Sequence, residues 1–448
     1  MKIAIVGAGY QGLVTGTCLA ENGHQVMCMD HDAARVALLN DGGMPLHEPG
    51  LEELITRNME EERLCFTTDL DRVVADSLMV FLCVGTPVDE AGRADVSGVL
   101  TATRQIASVM NSYRIIVNKS TCPPGTAEQM DATVRAHTTH PCDIVVNPDF
   151  MKEGTAVDDF LRPDRVIAGC DDVRVQEIMK ELYSPFLRTG KPFITMSRRS
   201  AEMAKYATNV MLAARISLMN QLADICEAYD CDIAEVREAV ATDYRIGPTF
   251  LFPGVGFGGA GLPRDLATCE GLARDRGVEY DLIAAVREVN ERRRDRFLQR
   301  ICDYYGATIG DKRLAVWGAS FKARTDDLRG GPAIHVIDGL CAAGAMVTVY
   351  DPVASQKLKE RYGDKILIAA KYYEALNGAD GLIIMTEWNE FRRPDYERMG
   401  KLMREKVIFD GRNLYTPAVM ARQGFQYFSV GRKAVSPGHN NPENQDEN

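Results

Sequence analysis

The first thirty residues leave little choice of fold. Lys2 to Val6 is a short apolar run with β-branched residues, Gly7 to Gly12 reads GAGYQG, and a stretch with helical spacing follows through Leu13, Thr17 and Ala20. Gln25 to Met29 is a second strand-like run, closed by Asp30. Strand, glycine turn, helix and a second strand ending in an acid make the opening unit of a dinucleotide-binding α/β domain. Gly7 permits the tight turn, Gly9 lets the main chain approach a pyrophosphate, and Gly12 allows close packing of helix on sheet, with the helix N-terminus facing the phosphates. Asp30 would take the ribose hydroxyls of NAD and repel the extra phosphate of NADP. The expected cofactor is therefore NAD. The bland alternative is a glycine-rich turn in some other α/β domain.

Strand-like runs recur at Leu78–Val84, Arg114–Lys119 and Asp143–Val146, separated by helical patterns. That alternation is the mark of a doubly wound parallel sheet, whose ligands sit at the carboxyl ends of the strands. Those ends carry GTP at Gly85–Pro87, KSTCPPGT at Lys119–Thr126 and NPDFMKEG at Asn147–Gly154. Ser200 reads as the N-cap of a long helix with a core stripe of Met203, Ala207, Val210, Met211, Ala214, Leu218, Leu222 and Ile225. Lys205 and Asn209 are four apart and off that stripe, so they project together. A Lys so placed is, taken alone, more often a solvated surface residue.

A second α/β unit starts near Lys312. RLAVWGASFK reads as strand then turn, Ala333–Ala343 as helix, AMVTVYDP as a strand ending at Asp351, and Gly381–Trp388 and Val407–Asn413 as further strands. The expected fold is α/β, with two Rossmann-like doubly wound parallel-sheet domains joined by a long central helix. The expected boundaries are 1–199, a helical connector over 200–305, 306–433, and a disordered polar tail over 434–448.

Composition narrows the function classes. A formal charge of −11 on 448 residues argues against a broad nucleic-acid or anionic-membrane surface. A diphosphate ligand needs only a few local cations and N–H groups, so it stays open. The 12 cysteines show no CxxC and no clustered spacing, which suggests neither a metal site nor a disulfide framework and makes a reducing cytoplasm the default. No apolar run approaches the roughly 20 residues of a membrane helix, and the N-terminus reads as strand and turn rather than signal peptide.

Gly254 to Asp265 reads GVGFGGAGLPRD, a glycine-dense loop closed by Pro-Arg-Asp. It resembles the catalytic loop of the UDP-glucose/GDP-mannose dehydrogenase family, which is close to GFGGSCFPKD or GFGGSCLPKD and whose Cys carries the substrate as a thioester. Here Gly261 stands at the Cys position. The resemblance covers nearly all of the first 433 residues and its motifs fall in the family's order: GAGYQG, EPGL at Glu48, GTP, KST with PPGT, NP with F and EG, the Lys205/Asn209 helix, DYRIG at Asp243, the glycine loop, SFKARTDDLR at Ser320, TEW and DGRN. It implies that Gly7, Gly9, Gly12, Asp30, Arg35, Thr86, Thr121 and Arg329 lie at or near NAD. It implies a reacting centre of Thr121, Glu153, Lys205, Asn209 and Asp265. Asp149, Phe150 and Gly258 would join Lys205 and Asn209 against the substrate, Lys322 and Arg412 would bind its diphosphate, and Arg245 would reach in from a second subunit. The connector would carry the catalytic loop and build at least a homodimer, and the third segment would bind the nucleotide sugar, UDP-hexose before GDP-hexose.

These residue types suit oxidation of a primary alcohol. Hydride leaves C6 while a proton leaves the hydroxyl, so the site needs a base and a cation for the developing alkoxide. Asp265 with a water and Thr121 could take the proton, Lys205 steady the charge and Asn209 hold the oxygen. Gly261 for Cys, Arg264 for the loop Lys, Asp149 for Glu and Arg215 for Lys are departures, and the first and third both touch thioester chemistry. Cys269 and Cys122 are the nearest thiols, each read first as a packing residue. Three readings follow: C6 oxidation without a thioester, stopping at the aldehyde or passing through its hydrate; full four-electron oxidation by another nucleophile; or a silent homologue that binds a nucleotide sugar.

Overall fold

The computed structural model describes residues 1–438 except Glu90. The chain divides into two compact units, Met1–Thr208 with Ala267–Val278, and Asn209–Leu266 with Glu279 onward. Residues of the connector expected over 200–305 fall in both units. Val435 exchanges two main-chain hydrogen bonds with Tyr427, at 2.9 and 3.1 Å, so regular pairing extends past the expected start of the tail at 434. Residues 439–448 of that tail lie outside the described residues.

The first unit holds an eight-stranded sheet: β1 (Lys2–Val6), β2 (Gln25–Met29), β3 (Leu64–Thr67), β4 (Met79–Leu82), β5 (Arg114–Asn118), β6 (Cys142–Val146), β7 (Val166–Gly169) and β8 (Phe193–Met196). The spatial order is β3-β2-β1-β4-β5-β6-β7-β8, and every pair is parallel except β6 with β7. Strand order reverses between β1 and β4, the switch point at which such sheets open a crevice beyond their carboxyl ends. All four residues of β4 and all five of β5 are buried. Continuous apolar strands follow from a sheet covered on both faces. Leu13, Val14 and Leu19 of helix Tyr10–Glu21 pack with Ile3 and Ile5 on one face, and Val99, Ile106 and Met130 pack with Ala4 and Val6 on the other.

The second unit holds a six-stranded, wholly parallel sheet: β9 (Arg313–Trp317), β10 (Met346–Tyr350), β11 (Leu367–Ile368), β12 (Gly381–Ile384), β13 (Val407–Asp410) and β14 (Gln426–Phe428), ordered β11-β10-β9-β12-β13-β14. Its reversal lies between β9 and β12, the counterpart of β1 and β4. The expected strands are all present, and each sheet gained strands that alternation alone had not marked, β7 and β8 in the first among them.

The long helix runs over Arg198–Ala228. It starts two residues before the expected Ser200: the Ser197 hydroxyl accepts from Ser200 N at 3.3 Å and so acts as the cap. Its expected core stripe is corrected as well. Met203, Met211, Leu218 and Ile225 are 42, 65, 58 and 51 % exposed, while Glu202, Lys205, Tyr206, Ala213, Ser217, Asn220 and Ala223 are buried. Val210 and Leu222 of that stripe do pack against the core, but the buried residues mix apolar side chains with polar groups that find partners in the fold, so an apolar count alone does not orient the helix. No helix among the described residues is long and apolar enough to cross a membrane.

A Cβ at Gly12 would come within 1.8 Å of the Gly7 carbonyl oxygen, a main-chain atom that cannot move aside. Gly12→Ala is expected to lower unfolding free energy by about 3 kcal/mol or more, read from urea denaturation. A loss under about 0.5 kcal/mol, the range of an ordinary surface change, would contradict the close approach of helix and turn.

Candidate active site

In the first unit the glycine turn is shaped by its neighbours. Gly7 has φ +101°, and a Cβ there would lie 2.6 Å from the Cys83 carbonyl oxygen. Around Gly9 the space beyond a Cβ is open, and Gly9 offers the helix Tyr10–Glu21 no side-chain cap. That open, positively polarised N-terminus suits a pyrophosphate. Asp30 is buried; its Oδ2 accepts from Ala8 N at 2.7 Å and pairs with Arg35 at 3.0 Å, and its Oδ1 accepts from Asp32 N at 3.0 Å. The same carboxylate therefore ties the glycine turn to the end of β2. Burial opposes its charge, but the N–H groups of Asp32 and Ala8 and the Arg35 guanidinium hold the Asp30 carboxyl below its usual range. These residues fit NAD: an uncapped helix end for the phosphates and an ionised acid for the ribose.

The loops after β4, β5 and β6 are knitted together in this unit. The Thr86 hydroxyl donates to the Thr121 carbonyl at 2.8 Å, and the Ser120 hydroxyl donates to Val84 O at 2.8 Å. Gln11 of the glycine turn donates to Lys119 O at 2.8 Å. Lys205 is buried, contrary to its surface reading, and its ammonium donates to the Asp149 carbonyl oxygen. Asp149 turns its own carboxylate to Met151 N at 2.9 Å. The Phe150 ring lies 3.9 Å from the Arg165 guanidinium and 5.5 Å from the Lys205 nitrogen. Glu153 is half-buried on the same loop.

Three groups in this unit were not singled out as site residues by sequence reasoning. Glu48 accepts from Gly154 N at 2.6 Å and Ala156 N at 2.8 Å and takes the Tyr10 hydroxyl, joining EPGL, the glycine turn and the loop of Glu153. Lys119 is buried with its ammonium 3.3 Å from Asn147 Oδ1. Burial pushes its pKa down, against Asp149 and Cys83, which favour its charge. Glu202 is the third. All three sit in motifs that the sequence does mark, but only their tertiary partners separate them from surface charges.

In the second unit the glycine loop is clamped. Asn220 Oδ1 accepts from Gly254 N at 2.8 Å, Arg293 donates to Gly254 O at 3.0 Å, and Asn290 bonds Phe257 at both its N and its O, at 2.8 and 3.1 Å. A Cβ at Gly258 would fall 2.4 Å from the Gly330 carbonyl oxygen, so this position needs glycine for close approach. The loop ends at Gly261, the first residue of helix Gly261–Asp275. There an added Cβ meets no atom within 4 Å. Asp265 is fully buried one turn on; Asn209 Nδ2 donates to its Oδ2 at 2.5 Å and Arg264 Nε to its Oδ1 at 2.8 Å. Asn209 and Asp265 are thus brought together. Lys205 stands one helical turn before Asn209 on the same helix.

Arg412 donates from Nε to Met385 O at 2.7 Å and from Nη2 to Phe321 O at 2.8 Å, so it bridges the TEW, SFK and DGRN segments. Lys322 lies 5.4 Å from the Phe321 ring. Arg329, expected at the cofactor, belongs to this unit and pairs with Asp327 at 2.7 Å. The Arg245 side chain is 74 % exposed and pairs with Asp243 at 2.6 Å, and no other candidate residue is among its described partners. Phe250, Arg324 and Asn413 hold left-handed φ values of 58, 69 and 54°. Asn413 adjoins Arg412, at a kind of position where strain of about 1 to 3 kcal/mol per residue tends to be stored. Cys122 and Cys269 are both buried. A cleft of about 440 Å³ between Tyr350, Tyr372, Tyr373, Glu390 and Arg398 contains none of the expected site residues.

A glycine turn with an acid-closed second strand, set in a doubly wound sheet, defines the class: an α/β protein that binds a dinucleotide. Three family models match successive segments: the NAD binding domain of the UDP-glucose/GDP-mannose dehydrogenase family over residues 1–187, its central domain over 199–292 and its UDP binding domain over 315–417. The chain belongs to that family. It is 40% identical over 442 residues to a UDP-glucose 6-dehydrogenase of Pseudomonas aeruginosa, covering 96% of this chain and 98% of that one. It is 39% identical over 440 residues to another from Haloferax volcanii, covering 96 and 100%. A solved UDP-glucose dehydrogenase from Pyrobaculum islandicum matches with a TM-score of 0.89 at 32% identity, covering 96 and 98%.

The depressed Asp30 carboxyl gives a signed test. Its stability contribution is present above the ordinary carboxylate range of about 4 and is lost as pH falls through its lowered value. Asp30→Asn should cost about 1 to 2 kcal/mol in urea at pH 7, and the gap from wild type should close toward pH 3. An equal gap at both pH values would contradict the charged role.

Proposed function

We propose that this chain uses NAD to oxidise the C6 hydroxyl of a UDP-hexose of the UDP-glucose type by one two-electron step, without a thioester. The observation that carries this reading is the pairing of a complete proton-and-charge set with an open nucleophile position. Asp265 is buried between Asn209 and Arg264, whereas Gly261 ends the loop with no side chain at all.

In this reading NAD, when bound, supplies the acceptor for the hydride that leaves C6. Asp265 takes the hydroxyl proton, and Arg264 and Asn209 keep its two oxygens ordered for that transfer. The Lys205 ammonium balances the negative charge that grows on the C6 oxygen. Lys322 and Arg412 face the diphosphate, and the DYRIG segment with its exposed Arg245 serves a second copy of the chain. The apolar row Met203, Met211, Leu218 and Ile225 supports a homodimer, because an exposed stripe of this length on one helix calls for a partner. The relatives named UDP-glucose 6-dehydrogenases support UDP-glucose as the first sugar to try.

Without a thiol the aldehyde has no covalent acceptor on the loop, and it leaves as the product. The buried Cys122 and Cys269 do not favour a substitute nucleophile.

Mixing the protein with NAD and UDP-glucose is expected to give NADH. Asp265→Asn should lower kcat by about 100-fold or more while NAD affinity stays unchanged. If no UDP-hexose yields NADH, the reading is wrong. Gly261→Cys should fold normally, since its Cβ has room, and a thiolate at a helix N-terminus is activated. Intact-mass spectra of that variant during turnover should show an acyl adduct that the wild type lacks; the same adduct on wild type would overturn the thiol-free step.

A further inference from the structure

Glu202 is a buried carboxylate with no described ion-pair partner within 4 Å. Its Oε2 accepts from Gly125 N at 2.6 Å and its Oε1 from Ala127 N at 2.8 Å. Both donors lie at the start of helix Thr126–His137, whose local N-cap residue, Gly125, has φ +102° and offers no side-chain cap. Glu202 therefore caps a helix 77 residues away in sequence. That helix begins in KSTCPPGT, whose Pro123 and Pro124 have no N–H of their own to anchor it. At its other end the segment is held where Thr86 bonds Thr121 O.

Glu202 and Lys205 are three apart on the long helix and so share a face. Lys205 holds the loop after β6 through Asp149 O, and Glu202 holds the loop after β5 through Gly125 and Ala127. We infer that Glu202 is a positioning residue, fixing the loop of Thr121 in register with Lys205 through the first turns of the long helix. This rests on the proposed dehydrogenase reading, in which Thr121 and Lys205 serve the reacting centre.

The cap is strongest when Glu202 is ionised, since a carboxylate offers acceptors to both N–H groups and a protonated acid offers one fewer. The charged groups around it are Glu128 and Asp131 on the capped helix and Arg198, Arg199 and Lys205 on its own. Arg199 pairs with Glu128 at 2.6 Å and Arg198 with Asp131 at 2.5 Å, so neither arginine is committed to Glu202. Burial, reinforced by Glu128, pushes the Glu202 carboxyl up to about 7, against the pull of the two N–H groups and Arg198. The cap should therefore weaken as pH falls below about 7.

The test is Glu202→Gln in the full chain, read in two ways. Amide hydrogen exchange over residues 119–127 should speed up about tenfold, with Ala156–Leu161 unchanged as an internal control. In steady state with UDP-glucose and NAD, kcat should fall about tenfold, both KM values should stay within about twofold, and the acid limb of the wild-type kcat profile near pH 7 should disappear. Unchanged exchange in that segment, or faster exchange with wild-type kcat and an intact acid limb, would overturn the assignment. If wild type shows no turnover on any UDP-hexose, the functional reading fails by itself, and unchanged exchange would still overturn the cap.

Discussion

In each sheet, a buried carboxylate at the end of the second strand ties down the turn that follows the first. Asp30 does this through Ala8 N, and Asp351 does it through Ala319 N, Ser320 N and the Ser320 hydroxyl, at 2.7 to 3.0 Å. Neither turn could hold its conformation from local sequence alone, because its N–H groups need acceptors that no neighbouring carbonyl supplies. Once the turn is fixed, the crevice beyond the switch point is fixed with it, and the loops after the fourth and fifth strands can be knitted against it. The two halves then differ in what they leave open. In the first half the helix begins directly after the turn, with a bare N-terminus at Gly9; in the second, Ser320 stands where Gly9 does, the helix begins only at Pro332, and Arg412 donates to Phe321 O in the segment between.

The sites are built from charges removed from water. Lys119, Lys205, Glu202, Asp265 and Asp410 are all buried, and each is held by carbonyls, N–H groups or a neighbouring polar side chain. Burying a charge is costly unless such partners are present, so these groups also define where the loops must lie. Asp410 shows the structural form of this. It collects Arg412 N, Leu414 N and the Tyr427 hydroxyl at 2.7 to 2.9 Å, and so shapes the DGRN turn that presents Arg412. Burial still pushes the Asp410 carboxyl up, against the Tyr427 hydroxyl and the N–H groups. Glu48 shows the form that joins segments, since one carboxylate reaches the glycine turn and the loop of Glu153 together.

What the sequence makes legible follows from how local each signal is. The strands around GAGYQG and RLAVWGASFK could be read because a two-faced parallel sheet writes continuous apolar runs, and the turns could be read because glycine is required there. The long helix could be found but not oriented. Its buried residues include the polar Glu202, Lys205, Ser217 and Asn220, while Met211, Leu218 and Ile225 point outward. Periodicity alone assigns the core to the apolar side, and only the tertiary partners of those polar groups show that the buried face is mixed. The same reasoning explains why Lys205 alone reads as a surface lysine, and why Glu48, Lys119 and Glu202 did not stand out. The Asn209–Asp265 contact lies 56 residues apart in sequence, beyond the reach of any spacing rule. The family's order of motifs was what linked them.

The account turns on Gly261, where the loop offers room but no nucleophile. The most direct measurement is the endpoint with limiting UDP-glucose, excess NAD and a carbonyl trap in a parallel tube, counting NADH per sugar and weighing the product by mass spectrometry. The account predicts about one NADH per sugar, by the two-electron balance of an alcohol oxidised to an aldehyde, and a trapped aldehyde. Two NADH per sugar with a uronic acid product and nothing in the trap would contradict it.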